Sequence, residues 1–178
     1  RDKMKEWVRS GGVLVGTEGM ASWLSKSRSG FTNVSLYEPE RNDEDQIDKG
    51  YTVYADRAKK SGLQRIPGAA FKSHIDHTHP LGFGMKEHLY TLKFSTDVFE
   101  LTPNLLAIGR YASDPNDLLA SGYASPENKE KAASNSFAVV QNMGQGKVVL
   151  LLENTQYRMF WIGPSRMIQN AVFQLPAH

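Results

Sequence analysis

Three groups of residues in this chain of 178 residues could carry chemistry. The first is Thr17-Glu18-Gly19, set between an apolar run, Val13-Leu14-Val15, and a helical stripe of Met20, Trp23 and Leu24. A polar group shown at a strand-to-helix junction sits where helix N-terminal amides gather, so it can bind a ligand or, with a base beside it, attack one. Thr17 is the residue on display. Its hydroxyl is too weak an acid to ionise without a neighbouring base, and its oxygen also suits a helix cap that accepts backbone N–H groups. Glu18 adds a carboxylate to the same cleft.

The second group is His74-Ile75-Asp76-His77-Thr78-His79, with three of the five histidines. On a strand, His77 and His79 share one face and His74 and Asp76 the other, so His77 and His79 form a two-imidazole pair of the kind zinc accepts. The competing reading has these rings bonded to backbone carbonyls or capping the strand end before Pro80. The third group is Tyr157-Arg158-Met159-Phe160-Trp161. Arg158 among aromatics could grip a carboxylate or a sugar ring, or could hold a buried acid inside a packed core. Gly144-Gln145-Gly146 has strand patterns on both sides and reads as a hairpin, not a phosphate loop.

These groups need elements to hold them. Residues 2 to 10 place Met4, Trp7 and Val8 on one helical face, and Gly11-Gly12 ends that helix before a strand at Val13-Leu14-Val15, which as an uninterrupted apolar run suits burial on both faces of a parallel sheet. Residues 38 to 49 hold six acids and read as a solvated loop or helix face, without the spacing of a calcium loop. A helix over 45 to 60 competes there with the β-prone cluster Tyr51-Thr52-Val53-Tyr54. Strands are predicted at Ala69 to Asp76, Leu89 to Ser95, Leu105 to Tyr111, Phe137 to Val140 and Lys147 to Leu152, the last two joined by a hairpin. Ser125-Pro126 opens a helix running to about Ala133, and Met167, Ile168, Ala171, Val172 and Leu175 mark a closing amphipathic helix.

Composition narrows the class. The length suits a single domain over residues 1 to 178. A net charge of +2, with its lysines and arginines dispersed, argues against a nucleic-acid partner. No apolar run reaches the length of a membrane span. The chain has no cysteine, so disulfides and thiolate chemistry are excluded.

Thr17-Glu18-Gly19-Met20 resembles the nucleophile elbow of class I glutamine amidotransferase-like domains, in which a cysteine, any residue and a glycine open a helix. More closely, the chain is similar to the amidotransferase-like domain at the C-terminal end of secreted bacterial zinc carboxypeptidases. The resembling segments are Trp7 to Gly19, His79-Pro80-Leu81-Gly82-Phe83-Gly84, Ser121-Gly122-Tyr123, Gly144 to Leu150, Arg158 to Trp161 and Asn170-Ala171. The resemblance implies a three-layer, flavodoxin-like α/β sheet and a domain whose N-terminal part precedes Arg1; the strand patterns over 69–76, 89–95 and 105–111 add a β-rich central insertion or sheet extension. It also implies export, and a peptidase domain of the same polypeptide as partner.

The chain departs from that family where the chemistry lies. Threonine replaces the cysteine, and the last main strand leads into Glu153-Asn154-Thr155-Gln156-Tyr157-Arg158 where the family has His, any residue, Glu. None of His74, His77, His79, His88 and His178 has glutamate three residues later, the pair that holds zinc in the resembled peptidases. The expectation is a non-catalytic accessory domain with no cofactor of its own, zinc belonging to the peptidase domain. The alternative is a small-ligand or metal-binding module that uses the cleft at Thr17 and Glu18, with His77 and His79.

Overall fold

Apolar alternation and glycine turns bring the strands of this chain into one mixed sheet. The computed structural model describes residues 1–39, 53–63, 65–159 and 161–177. The order is α1 (Asp2–Arg9), β1 (Val13–Thr17), α2 (Glu18–Leu24), α3 (Tyr54–Leu63), β2 (Ala69–Ile75), β3 (His88–Lys93), β4 (Leu106–Tyr111), β5 (Leu119–Gly122), α4 (Pro126–Ala132), β6 (Ser136–Met143), β7 (Gly146–Leu151) and α5 (Ile162–Phe173). The acids from Glu40 to Asp48, and the start of a helix at 45, lie outside the described residues.

The strands are arranged β1-β7-β6-β4-β2-β3, with β5 also paired to β2. β1 and β7 run parallel, with Thr17 opposite Leu151. The other pairings among the described residues are antiparallel. The molecule is therefore mixed α/β, and the predicted β-rich centre is an extension of the same sheet.

The strand buried on both faces is not β1. Val13, Leu14 and Val15 are only half-buried, because β1 is an edge strand with β7 as its neighbour. Residues 137–140 of β6 and 148–151 of β7 are buried in unbroken runs, as central strands covered on two sides require. The β6–β7 hairpin closes through Gly144 and Gln145, with Gly144 at φ +64°, a conformation that costs glycine least. Gly11, at φ +114°, ends α1 as its sequence predicts.

Phe71, Tyr111 and Phe137 form the aromatic centre, with ring centroids 5.7 Å apart for the first pair and 5.3 Å for the second. α2 packs on β1 and β7, and α5 packs on β1, on β3 and on the turn Pro80–Gly82. Asn170 fixes that last contact, its Nδ2 donating to the carbonyls of Leu81 and Phe83 at 2.9 Å each. Ser125 caps α4 by accepting from the Asn128 N–H at 3.3 Å. The apolar stripes of α1 and α2 are only partly used: Val8 and Leu24 are buried, while Met4, Trp7, Met20 and Trp23 are exposed. No helix among the described residues is long and apolar enough to cross a membrane.

Candidate functional site

The parallel pair β1 and β7 ends on the side where two carboxylates emerge. Because Thr17 lies opposite Leu151, Glu18 and Glu153 leave neighbouring strands close to the same level. Thr17 is still extended, at φ −116° and ψ 150°, and makes no side-chain cap bond to α2. The expected capping role of Thr17 is thus not seen. The strained position of the elbow belongs to Glu18, at φ +49°, a left-handed conformation that a residue with a Cβ adopts at a cost of about 1–2 kcal/mol.

A pocket of about 250 Å³ opens over this junction, bordered by Glu18, Ser22, Phe94, Asp97, Glu153 and Asn154 among others. Asn154 Nδ2 donates to Glu18 Oε2 at 3.4 Å. Ser22 Oγ donates to Asp97 Oδ2 at 2.6 Å. Under the pocket, Lys93 Nζ is buried and spends its three N–H donors on Glu153 Oε1 (2.9 Å), the Tyr111 hydroxyl (2.9 Å) and the Asp97 carbonyl (2.7 Å). The Tyr111 hydroxyl in turn donates to Glu153 Oε1.

The electrostatics follow from this burial. Removal from water pushes the Glu153 carboxyl above the usual carboxylate range, against the pull of Lys93 and of the Tyr111 hydrogen bond. Burial first, and the neighbouring Glu153 charge second, push the Tyr111 phenol well above the usual tyrosine range. Both bonds to Glu153 fall on Oε1, so Oε2 has no hydrogen bond among the described residues. The arrangement is a buried ion pair beneath an acidic pocket. Among the residues that border it there is no histidine to serve as a base for acyl transfer.

The other sequence candidates lie elsewhere. Arg158 is exposed, at φ +49°, with its guanidinium 5.2 Å from the Tyr157 ring centroid, so it holds no buried acid. Tyr157 in turn packs at a tilt on Phe94, ring centroids 5.2 Å apart, and Arg158 is not among the residues that border the elbow pocket. Phe160 lies outside the described residues. The histidine cluster also departs from its expected geometry. β2 stops at Ile75, so His77 and His79 belong to a turn and share no strand face. His79 Nδ1 accepts from the Leu81 N–H at 3.1 Å and caps the turn at Pro80, the structural role weighed for it.

Lys93, Tyr111, Asp97 and Ser22 were not singled out by sequence. A lysine ending the run Leu89 to Lys93 carries no local sign of burial. No protein-family model matches the chain, and comparisons with curated proteins and with solved structures return no match.

Proposed function

We propose that this chain is a non-catalytic accessory domain of amidotransferase-like build, docked on a preceding peptidase-like domain of an exported bacterial protein. The observation that carries the reading is the edge of β1, to which no second strand pairs among the described residues. Among the described residues β1 pairs with β7 alone, and its sequence Val-Leu-Val-Gly-Thr has none of the lysine or proline with which edge strands are usually protected. Beside it runs an apolar groove of about 510 Å³, bordered by Trp7, Val13, Val15, Ala171, Val172 and Pro176. Trp7 and Val172 are each 54% exposed. An open strand edge beside an apolar groove is the surface that a neighbouring domain of the same polypeptide covers.

The elbow supports the non-catalytic half of the reading. Its strained position holds glutamate, and the carboxylate that follows β7 is tied into the ion pair with Lys93. The experiment is hydrogen exchange at β1, in this chain and in the full polypeptide encoded by its gene, with ammonia release from glutamine measured on both. Slower exchange at β1 in the longer protein, and ammonia release no faster than the buffer blank, are expected. A gene that encodes no further domain, or exchange at β1 that is unchanged, overturns the docking role. Glutamine hydrolysis that is lost in Glu18→Gln overturns the non-catalytic one.

A second reading rests on Glu18, Asp97 and Glu153 bordering one pocket. Three acids there favour a small cationic ligand, such as an amine or a metal ion, against the single buried charge of Lys93. A thermal-shift screen of amines and divalent cations tests it. A ligand held at a hundred times its dissociation constant adds about 2.7 kcal/mol, and that gain should vanish in Glu18→Gln.

A further inference from the structure

The His74 and His88 side chains meet at the opposite end of β3 from the elbow pocket. In the β2–β3 ladder His74 faces His88, and the Ile75 N–H donates to the Glu87 carbonyl at 2.7 Å in the next pair along. Hydrogen-bonded and non-bonded pairs alternate in an antiparallel ladder, so His74 and His88 occupy a non-hydrogen-bonded position, where cross-strand side chains come closest. Their ring centroids are 4.5 Å apart, with the planes at 77°. Glu87, just before the strand, brings Oε1 to 4.0 Å from His88 Nε2. One ligand atom from each of His74, Glu87 and His88 lies within 4.8 Å of the others.

From this geometry we infer that His74, Glu87 and His88 bind a divalent transition metal, with zinc the best match. Two imidazoles and one carboxylate make a three-ligand set that leaves a fourth position for water. Zinc–ligand bonds of about 2.0–2.1 Å place tetrahedral donor atoms about 3.4 Å apart. His88 and Glu87 are 68% and 63% exposed, so small rotations of these side chains close the remaining gap without disturbing a packed core.

The surrounding charges decide which ions qualify. Arg110 faces His74 from β4 on the other side of β2 and repels any cation. Lys72, two residues along β2, is paired with Asp117, and the Asp76 carboxylate is engaged by Thr78. With the Glu87 and Asp76 carboxylates against Arg110 the net attraction for a cation is modest, so binding depends chiefly on the strength of metal–imidazole bonds. That selects zinc, copper or nickel and disfavours calcium and magnesium, which need several oxygen ligands. The ladder supplies the pre-organisation: β3 runs from His88 to Lys93, about 16 Å at 3.3 Å per residue, so this site and the elbow pocket are separate.

The test is calorimetric titration of the full, untagged chain with zinc chloride, repeated with calcium and magnesium. One zinc per chain and no calcium or magnesium binding are expected. His74→Ala and His88→Ala should each weaken zinc binding by more than tenfold, at least the loss that follows removal of an outer-sphere partner. Glu87→Gln should weaken it less, and His77→Ala should leave it unchanged. Copper(II) added to the unaltered chain should give electron paramagnetic resonance couplings from two imidazole nitrogens, a readout that needs no variant to fold. Failure to bind zinc would leave His74 and His88 as an edge-to-face pair only and overturn the proposal. So would zinc binding that survives His88→Ala or is lost in His77→Ala.

Discussion

Lys93 Nζ and Glu153 Oε1 lie 2.9 Å apart although β3 and β7 are separated in the sheet by β2, β4 and β6. The sheet must curl for its outer strand to reach back over the end of β7. The ion pair, closed by Tyr111, fastens that curl beneath the elbow pocket.

The worth of this pair lies in the cost of breaking it. Lys93→Met leaves Glu153 as an uncompensated buried carboxylate, and the expected loss is about 3–5 kcal/mol. Adding Glu153→Gln removes the orphaned charge while keeping an acceptor for the Tyr111 hydroxyl, so the double variant should recover most of that loss. Urea unfolding of the two variants checks this. A double variant no more stable than Lys93→Met would show that the side chains act through packing, not through charge.

Tyr111 makes stability sensitive to alkali. Burial keeps its proton on in the folded chain, while the unfolded chain releases it near the ordinary tyrosine value of about 10. Above that value the folded state binds one proton more than the unfolded state, so stability falls as pH rises, by about 1.4 kcal/mol per pH unit for this residue. The contribution is intact below the unfolded value and is lost only above it. Unfolding measured between about pH 9 and pH 11 should therefore show a shallower decline in Tyr111→Phe than in the natural chain. Equal slopes would mean that the phenol ionises inside the fold.

Asn170 is a buried polar residue whose purpose is visible in its partners. It ties α5 to the turn that His79 caps, through the carbonyls of Leu81 and Phe83. Asn170→Leu removes both donors and leaves those carbonyls to find water or go unpaired, at an expected cost of about 1–3 kcal/mol. Thermal unfolding gives the size of the effect. Faster amide exchange in Leu81 to Phe83 would place it in this turn.

Patterns confined to one segment were legible in the sequence, and relationships between segments were not. The β6–β7 hairpin, the capped α4 and strands β2, β3 and β4 follow from alternation, glycine and a serine–proline pair read locally. Leu119-Ala120-Ser121-Gly122 has no such pattern, because β5 is defined by its partner β2 and not by burial of its own. Register is equally invisible. Alternation drew His77 and His79 together on a strand that in fact ends at Ile75, while His74 meets a histidine fourteen residues away by ladder pairing. The elbow was located by its apolar run and glycine, but which of Thr17 and Glu18 takes the left-handed conformation depends on how α2 turns onto β1.

That conformation gives the last prediction. Glu18 at φ +49° stores about 1–2 kcal/mol of backbone strain, which glycine would relieve. Against this stands the favourable placing of a carboxylate in the first turn of α2, worth about 0.3–1 kcal/mol at an exposed helix start. Glycine also loses about 0.5–1 kcal/mol more chain entropy on folding, so the gain in Glu18→Gly should be small, under about 1 kcal/mol, or at most roughly 2–4 °C in Tm for a chain of this size. Glu18→Gln separates the two effects, since it loses the charge and keeps the strain, and should be slightly less stable than the natural chain. If Glu18→Gly proves no more stable than Glu18→Gln, the left-handed residue is not strained. If Glu18→Gly is the more stable and also loses a ligand that stabilises the natural chain, the strain is maintained for that ligand, and the elbow pocket is a binding site.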